Sequence, residues 1–290
     1  MYPAPSYRRI GIVGSGRVAQ AMAWALHPRS SDPLLVWGRD PERRDRLVAS
    51  VDRARAAPDL QSIGSACDCI LIAVADDAIP DLVDRLSGYI PHAATPFILH
   101  MSGRSGAGIL APLEQQGALT AAVHPAMTFT GAAAQEVARM VGARFVITAA
   151  TPMATLASER LVGLLGGIPE HVEEAKRALY HAALCHAANH LVTLVAGSCD
   201  ALRTAGVADP ASLLAPLVRA ALDNVLDRGM AGLSGPLLRG DEGSIHRHLS
   251  AIAVDSPQLL PPYRAMATAT LDALEGGGAT IPTGLRRILA

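Results

Sequence analysis

Between Ala178 and Cys199 the chain has no Asp, Glu, Lys or Arg, and the polar groups that remain are spaced to act together. His181, Cys185 and Asn189 recur at four-residue steps, so on a helix they project from one face. An imidazole placed there can give or take a proton near neutral pH, the work of a general acid or base. Tyr180, its neighbour, is an alternative proton donor. The same residues also suit a plainer role, as polar groups hydrogen-bonded inside a helical core. His186 and His190 are four apart as well, as metal ligands on a helix would be. The residues between them are Ala187, Ala188 and Asn189, so the glutamate of a zincin helix is absent and no third ligand is evident. No metal is expected.

A second chemistry is written near the N-terminus. Gly11-Ile12-Val13-Gly14-Ser15-Gly16-Arg17-Val18-Ala19 contains G-x-G-x-x-A after an apolar run and before a helical pattern. Gly14 permits a tight turn, Gly16 lets a pyrophosphate approach the backbone, and Ala19 allows close helix–strand packing. The helix then turns its free N–H groups toward the phosphates. About 24 residues beyond Gly14, where an acidic residue usually receives the ribose 2′-OH of NAD, the chain reads Gly38-Arg39-Asp40. A small residue followed by an arginine suits a 2′-phosphate, so NADP(H) is the expected cofactor. In the alternative, Arg39 is a solvated loop residue and Asp40 takes the ribose.

These residues need a frame. Short apolar runs at Arg9–Val13, Leu34–Gly38, Cys69–Val74, Phe97–Met101, Leu119–His124 and Arg144–Thr148 alternate with helical stretches at Arg17–Leu26, Pro41–Ala49, Ala78–Leu86 and Gly106–Gln115. The alternation predicts βαβ units and a doubly wound, mainly parallel sheet, the Rossmann arrangement. Ligands of such sheets sit beyond the carboxyl ends of the strands. Val74, Ala75 and Asp76 fall at one such end, Ser102 at another, and His124 with Thr128 at a third. Ser102 reads either as a site residue or as the cap of the following helix, and His124 either as a donor to a substrate or as a fixed structural histidine.

A helix at Ala154–Leu165 and a short extended piece near His171 close this half, and from Glu174 onward only helical periodicity is left. The expected division is residues 1–172 as the NADP-binding Rossmann domain and 173–290 as an all-α substrate and dimerisation domain. The helix from Glu174 is apolar nearly all round, which calls for enclosure by neighbours or by a second subunit.

Seven segments together resemble the Rossmann-like proteins that carry a DUF2520 C-terminal domain: Ile12–Ala19, Ala73–Ile79, His100–Gly103, His124–Phe129, Tyr180–Ala183, Ala188–His190 and Ser234–Asp241. Such proteins are relatives of F420-dependent-type NADP oxidoreductases, pyrroline-5-carboxylate reductases and 6-phosphogluconate dehydrogenases. The resemblance implies an NADP-binding oxidoreductase, dimeric through a helical domain like that of 6-phosphogluconate dehydrogenase, with Arg239 and Asp241 near the site. In the related 3-hydroxy acid dehydrogenases the corresponding helix carries a catalytic Lys and an Asn four residues later. Here His181 and Cys185 stand near those positions, a departure that speaks against a 3-hydroxy acid substrate.

Bulk properties narrow the classes further. Half of the 290 residues are hydrophobic, 18% are charged and the net charge is −1, so a large core is affordable while the basic stripe of a nucleic-acid binder is missing. Met1–Arg9 shows no apolar leader, and the four cysteines fit reduced thiols, so a cytoplasmic protein outside the membrane is expected. The combined expectation is an NADP(H)-dependent oxidoreductase reducing a small carbonyl or imine compound as a homodimer. The alternative is a non-catalytic NADP(H) sensor or assembly protein.

Overall fold

The computed structural model describes residues 6–91 and 94–290, which divide into two compact units, Met1–Cys185 and His186–Ala290. The first is a sheet sandwiched by helices. It runs β1 (Ile10–Val13), α1 (Arg17–Leu26), β2 (Leu34–Trp37), α2 (Pro41–Ser50), β3 (Ala54–Ala56), α3 (Leu60–Ala66) and β4 (Cys69–Ile72). It continues with α4 (Ile79–Ser87), β5 (Phe97–His100), α5 (Ala111–Glu114), β6 (Leu119–Pro125), α6 (Ala133–Met140), β7 (Arg144–Ala149), α7 (Pro152–Leu164) and β8 (Ile168–His171).

The eight strands lie in the order β3-β2-β1-β4-β5-β6-β7-β8, all parallel except for the β6–β7 pair. The chain winds outward from β1 to β3 and then returns to place β4 on β1's other side, in register Ile10 to Cys69. That reversal opens a crevice at the carboxyl ends of β1 and β4, where α/β sheets receive ligands.

Every residue of β1, β4 and β5 is buried, because helices cover both faces. Alternation assigns Ile10, Ile12 and Leu71 to one face with Met22 and Leu26 of α1. Val13, Ile70 and Ile72 go to the other with Leu82 and Leu86 of α4. Each such side chain contributes roughly 1.5–3 kcal/mol on burial. The short β3, with exposed Arg55 at its centre, and the helices α3 and α6 go beyond what the sequence pattern suggested. The expected helix from Gly106 is a 3₁₀ turn, Ala107–Leu110, passing into the single turn of α5.

The second unit is all helical. α8 (Arg177–Thr204) begins in the first unit and ends in the second, which adds α9 (Pro210–Arg228), α10 (Pro236–Arg239), α11 (Glu242–Asp255), α12 (Leu260–Gly276) and α13 (Thr283–Leu289). Its core is small: Ile245, Leu249, Leu271, Leu285 and Leu289 hold α11, α12 and α13 together. By contrast, only 6% of the most apolar stretch of α8 is buried. That helix alone among the described residues is long and apolar enough to cross a membrane.

Candidate active site

A cleft of about 720 Å³ lies at the β1/β4 switch point. At its floor the turn after β1 is set by Gly14, whose φ of +128° excludes most side chains and whose missing Cβ would run into the Ala73 carbonyl oxygen. The Gly14 N–H donates to the Trp37 carbonyl at 2.8 Å, tying the turn to the end of β2. At Gly16 a Cβ would meet nothing within 4 Å, so its Cα faces open space. Gly16 caps α1 without a side-chain hydrogen bond, which leaves the helix's first N–H groups and its positive dipole end for a ligand. Ser15, Arg17 and Val18 line the same floor. An open backbone cradle under a helix N-terminus fits a pyrophosphate.

At one end of the cleft stand Gly38, Arg39 and Asp40, joined by Arg43 and Trp37. Asp40 has other work. Its carboxylate caps α2, accepting from the Arg43 N–H at 3.1 Å, and pairs with the Arg43 guanidinium at 3.3 Å. Arg39 is exposed and has no carboxylate partner among the described residues. Across from it, the Arg85 guanidinium of α4 lies 5.6 Å from the Trp37 ring centre, a cation–π distance. Val74, Ala75 and Asp76 form the wall after β4, and Asp76 with Asp77 binds Arg104.

The other end is the histidine-rich one. Ser102, Gly103, His124 and His181 all line the cleft there. His100, at the end of β5, is fully buried. Its Nε2–H donates to the Gly106 carbonyl at 2.8 Å, and its Nδ1 accepts from the Ser102 N–H at 3.1 Å. Those partners fix a neutral tautomer, and burial pushes its pKa down to about 4. Ser102 keeps both roles open: it lines the cleft, and its hydroxyl accepts from the Ser105 N–H at 3.2 Å as a turn cap does. His124 Nδ1 and the Tyr180 hydroxyl are 2.8 Å apart, with the two rings edge to face. Burial, reinforced by the nearby Arg177 charge, drives the His124 pKa down to about 4. Burial also raises the Tyr180 pKa, opposed by the same arginine.

Gly103 is wedged between two imidazoles. A Cβ there would lie 2.6 Å from His181 Cδ2 and 2.9 Å from His124 Nε2. His181 in turn sits 3.7 Å from the Cys185 thiol one helical turn away. Arg177 supports this end from behind. Its guanidinium is 1% exposed and donates to the carbonyls of Ser105 (3.0 Å), Ser102 (2.9 Å) and Val146 (3.4 Å), with no carboxylate partner among the described residues.

The structure thus gathers the expected cofactor residues, Ser102, His124 and His181 around one cleft, with Tyr180 behind His124. Asn189 falls in the second unit. There His186 and His190 bond to each other through their Nδ1 atoms at 2.9 Å. Among the described residues no three His, Cys, Asp or Glu side chains cluster as a metal site. All four cysteines are free. Asp241 caps α11 through the Ser244 N–H (2.9 Å) and hydroxyl (2.7 Å), rather than bridging to Arg239. Sequence reasoning missed Arg43, Arg85 and Arg177. Arg43 was findable, one turn into the helix that Asp40 caps, whereas Arg177 looks in sequence like any solvated residue at a helix start.

Comparison with known proteins agrees with this architecture. Residues 4–125 match the Rossmann-like domain model, and residues 143–270 match the domain of unknown function DUF2520. No curated protein matches in sequence. Among solved structures, a proposed NADP oxidoreductase from Bacteroides fragilis is similar over 91% of this chain and 98% of its own, at 19% identity and a TM-score of 0.75. A reductive aminase from Aspergillus terreus, solved with NADPH and ethyl-5-oxohexanoate, is similar over 92% and 94% at 17% identity, with a TM-score of 0.68. An imine reductase from Myxococcus stipitatus, solved with NADP+, covers 97% and 100% at 17% identity, with a TM-score of 0.64. At such identities the shared property is the fold.

Proposed function

We propose that this chain, a Rossmann-like domain followed by a DUF2520 domain, is an NADP(H)-dependent oxidoreductase that reduces a small carbonyl or imine compound. The observation that carries the reading is the division of labour after β2: Asp40 is committed to capping α2, while Arg39 is left exposed and unpaired beside the glycine cradle. A planar guanidinium can grip a 2′-phosphate in bidentate fashion. The carboxylate that would receive a free ribose 2′-OH is already occupied. The similar folds solved with NADPH and NADP+ point the same way.

When bound, the cofactor supplies hydride; the chain supplies the rest. Gly14, Gly16 and the start of α1 hold the phosphates. The backbone of Val74 and Ala75 lines the path toward the histidine-rich end. There Ser102, His124 and His181 surround the space left for a small substrate, and the product's proton comes from this end, where His181 lines the cleft and Tyr180 stands behind His124.

The exposed apolar side chains of the second unit, among them Val192, Leu217 and Leu226, supply a surface for a second copy of the chain. Protein rather than lipid suits a helix that also carries His186, Asn189 and His190, which are costly in a bilayer. Sedimentation as a monomer at micromolar concentration would exclude the dimer. The test of the main reading is a fluorescence titration with NADPH and NADH. The wild type is expected to prefer NADPH, and Arg39→Ala to lose about tenfold in NADPH affinity while leaving NADH unchanged. Equal affinity for both cofactors in the wild type would move the assignment to NAD. Tight NADPH binding with no turnover of any keto acid or imine would favour a sensor.

A further inference from the structure

We propose that Tyr180 and His124 form a directed proton relay, in which the Tyr180 hydroxyl donates to His124 Nδ1 and His124 presents its Nε2–H to the substrate atom that gains the proton. The proposal deepens the reductase reading and rests on it for the identity of that substrate. Its geometry comes from the described contacts alone. The 2.8 Å hydrogen bond can run either way, since both atoms can donate or accept. Three observations give it a direction. His124 lines the cleft and Tyr180 does not, so the imidazole is the group that meets a ligand. Nε2 is the ring nitrogen facing Gly103, 2.9 Å from where that residue's Cβ would stand, and only a glycine leaves that approach clear. Finally, the Tyr180 ring lies against the Arg177 guanidinium at 5.6 Å, and His124 Nδ1 is its described hydrogen-bond partner. With the proton on Nδ1 instead, the phenolic hydroxyl would lose that acceptor and depend on water in a half-buried place.

The groups facing His124 are Tyr180, His181 and Arg177 from α8 and His100 from the end of β5. None is an anion at neutral pH, so nothing there favours an imidazolium. His124 therefore works as a neutral donor, refilled from behind, rather than as a stored proton. With a reduced nicotinamide bound, the hydride it supplies would form a C–H bond at the carbonyl or imine carbon, and the π pair would move to oxygen or nitrogen. That atom takes the Nε2 proton, and Nδ1 takes the phenolic proton. Tyr180 is left as a phenolate beside the Arg177 guanidinium, which stabilises it until a proton from water enters at Nε2 and the Nδ1 proton passes back to the phenolate, restoring both groups. Arg177 is a positioning residue, clamping the Ser102–Ser105 turn and favouring the phenolate. It does not touch the reacting atoms.

The direction of the bond can be read without cofactor or substrate. Full-length protein labelled with 15N-histidine gives two-bond 1H–15N correlations that distinguish neutral Nε2–H, neutral Nδ1–H and charged rings, with His124→Gln assigning the signal. At pH 7 His124 is expected as the Nε2–H tautomer. In Tyr180→Phe that preference should fall to a mixture of tautomers while the NADPH dissociation constant stays within about twofold. An Nδ1–H or charged ring in the wild type would overturn the relay, as would an unchanged His124 signal in Tyr180→Phe. Failure of the wild type to bind NADPH would instead overturn the reductase reading and leave the direction of the hydrogen bond standing.

Discussion

The two units of this chain treat apolar surface in opposite ways. In the first, β1, β4 and β5 are buried on both faces, and even the polar groups of the site, His100 and Arg177 among them, are inside and hydrogen-bonded. In the second, Leu226 is 75% exposed and Val192 70%, on helices whose length alone would otherwise suggest stability. A helix gains most of its stability from packing one face, not from propensity. The first unit therefore closes most of its apolar surface inside itself, and the second, beyond the small core of α11, α12 and α13, leaves Val192 of α8 and Leu226 of α9 uncovered. The difference teaches where each should be sensitive: the first to charge and shape inside it, the second to whatever covers it.

The largest effect should appear on the uncovered side. Replacing Leu226 and Val192 together with Asp places two charges in the surface assigned to a second copy. Desolvating unpaired carboxylates costs several kcal/mol, so the proposed dimer should dissociate by more than a hundredfold in its Kd. Sedimentation measures this directly. NADPH affinity should remain within about threefold, because the cradle belongs wholly to the first unit. Dimers that persist in the double variant would break the comparison, since those side chains would then be exposed in the assembly as well.

The closed side should instead respond to acid. His100 and His124 carry ordinary pKa values of 6.5 when exposed and about 4 in the fold. Between these values the unfolded state binds more protons than the folded one, so stability is intact above pH 6.5 and falls as the pH drops toward 4. The loss for buried His100 alone is about 3 kcal/mol, and His124, being closer to solvent, adds less. Denaturant melts of the first unit's strands at pH 7 and pH 4.5, read by hydrogen exchange, should show it. In a His100→Asn variant the slope should flatten. A melt independent of pH across this range would mean that neither ring is held neutral.

How much of this was legible in sequence follows the same divide. The glycine cradle, Arg39 and the alternation of strands and helices around them could be read because their residue types are dictated by local backbone and by period. Gly14 has to be glycine at φ +128°, and strands buried on both faces have to be apolar throughout. Ser102, His124, His181 and Tyr180 could be named, but not joined. The His124–Tyr180 pair spans 56 residues, and only the fold brings it together. Arg177 was illegible because its three partners are backbone carbonyls, which leave no trace in residue types. In the second unit the apolarity of α8 was plain and called for enclosure by neighbours or a partner, yet the described residues leave that stretch 6% buried.

The smallest expected effect lies at the rim of the cleft, where the first unit is least closed. Arg85 is exposed and stacks on Trp37, one of two tryptophans in the chain. A cation–π contact at an exposed site is worth about 0.5–1 kcal/mol. Arg85→Ala should therefore leave the melting transition nearly unchanged and weaken NADPH by only a few-fold, less than the loss expected for Arg39→Ala. The stacked indole offers its own readout. NADPH entering the cleft should alter Trp37 emission, and Trp37→Phe should abolish that change while Trp24 of α1, hydrogen-bonded to Ser50 at the end of α2, stays silent. If Arg85→Ala cost as much as Arg39→Ala, the rim would be part of the built site rather than its solvated edge. The boundary between closed and open surface would then run outside α4 instead of along it.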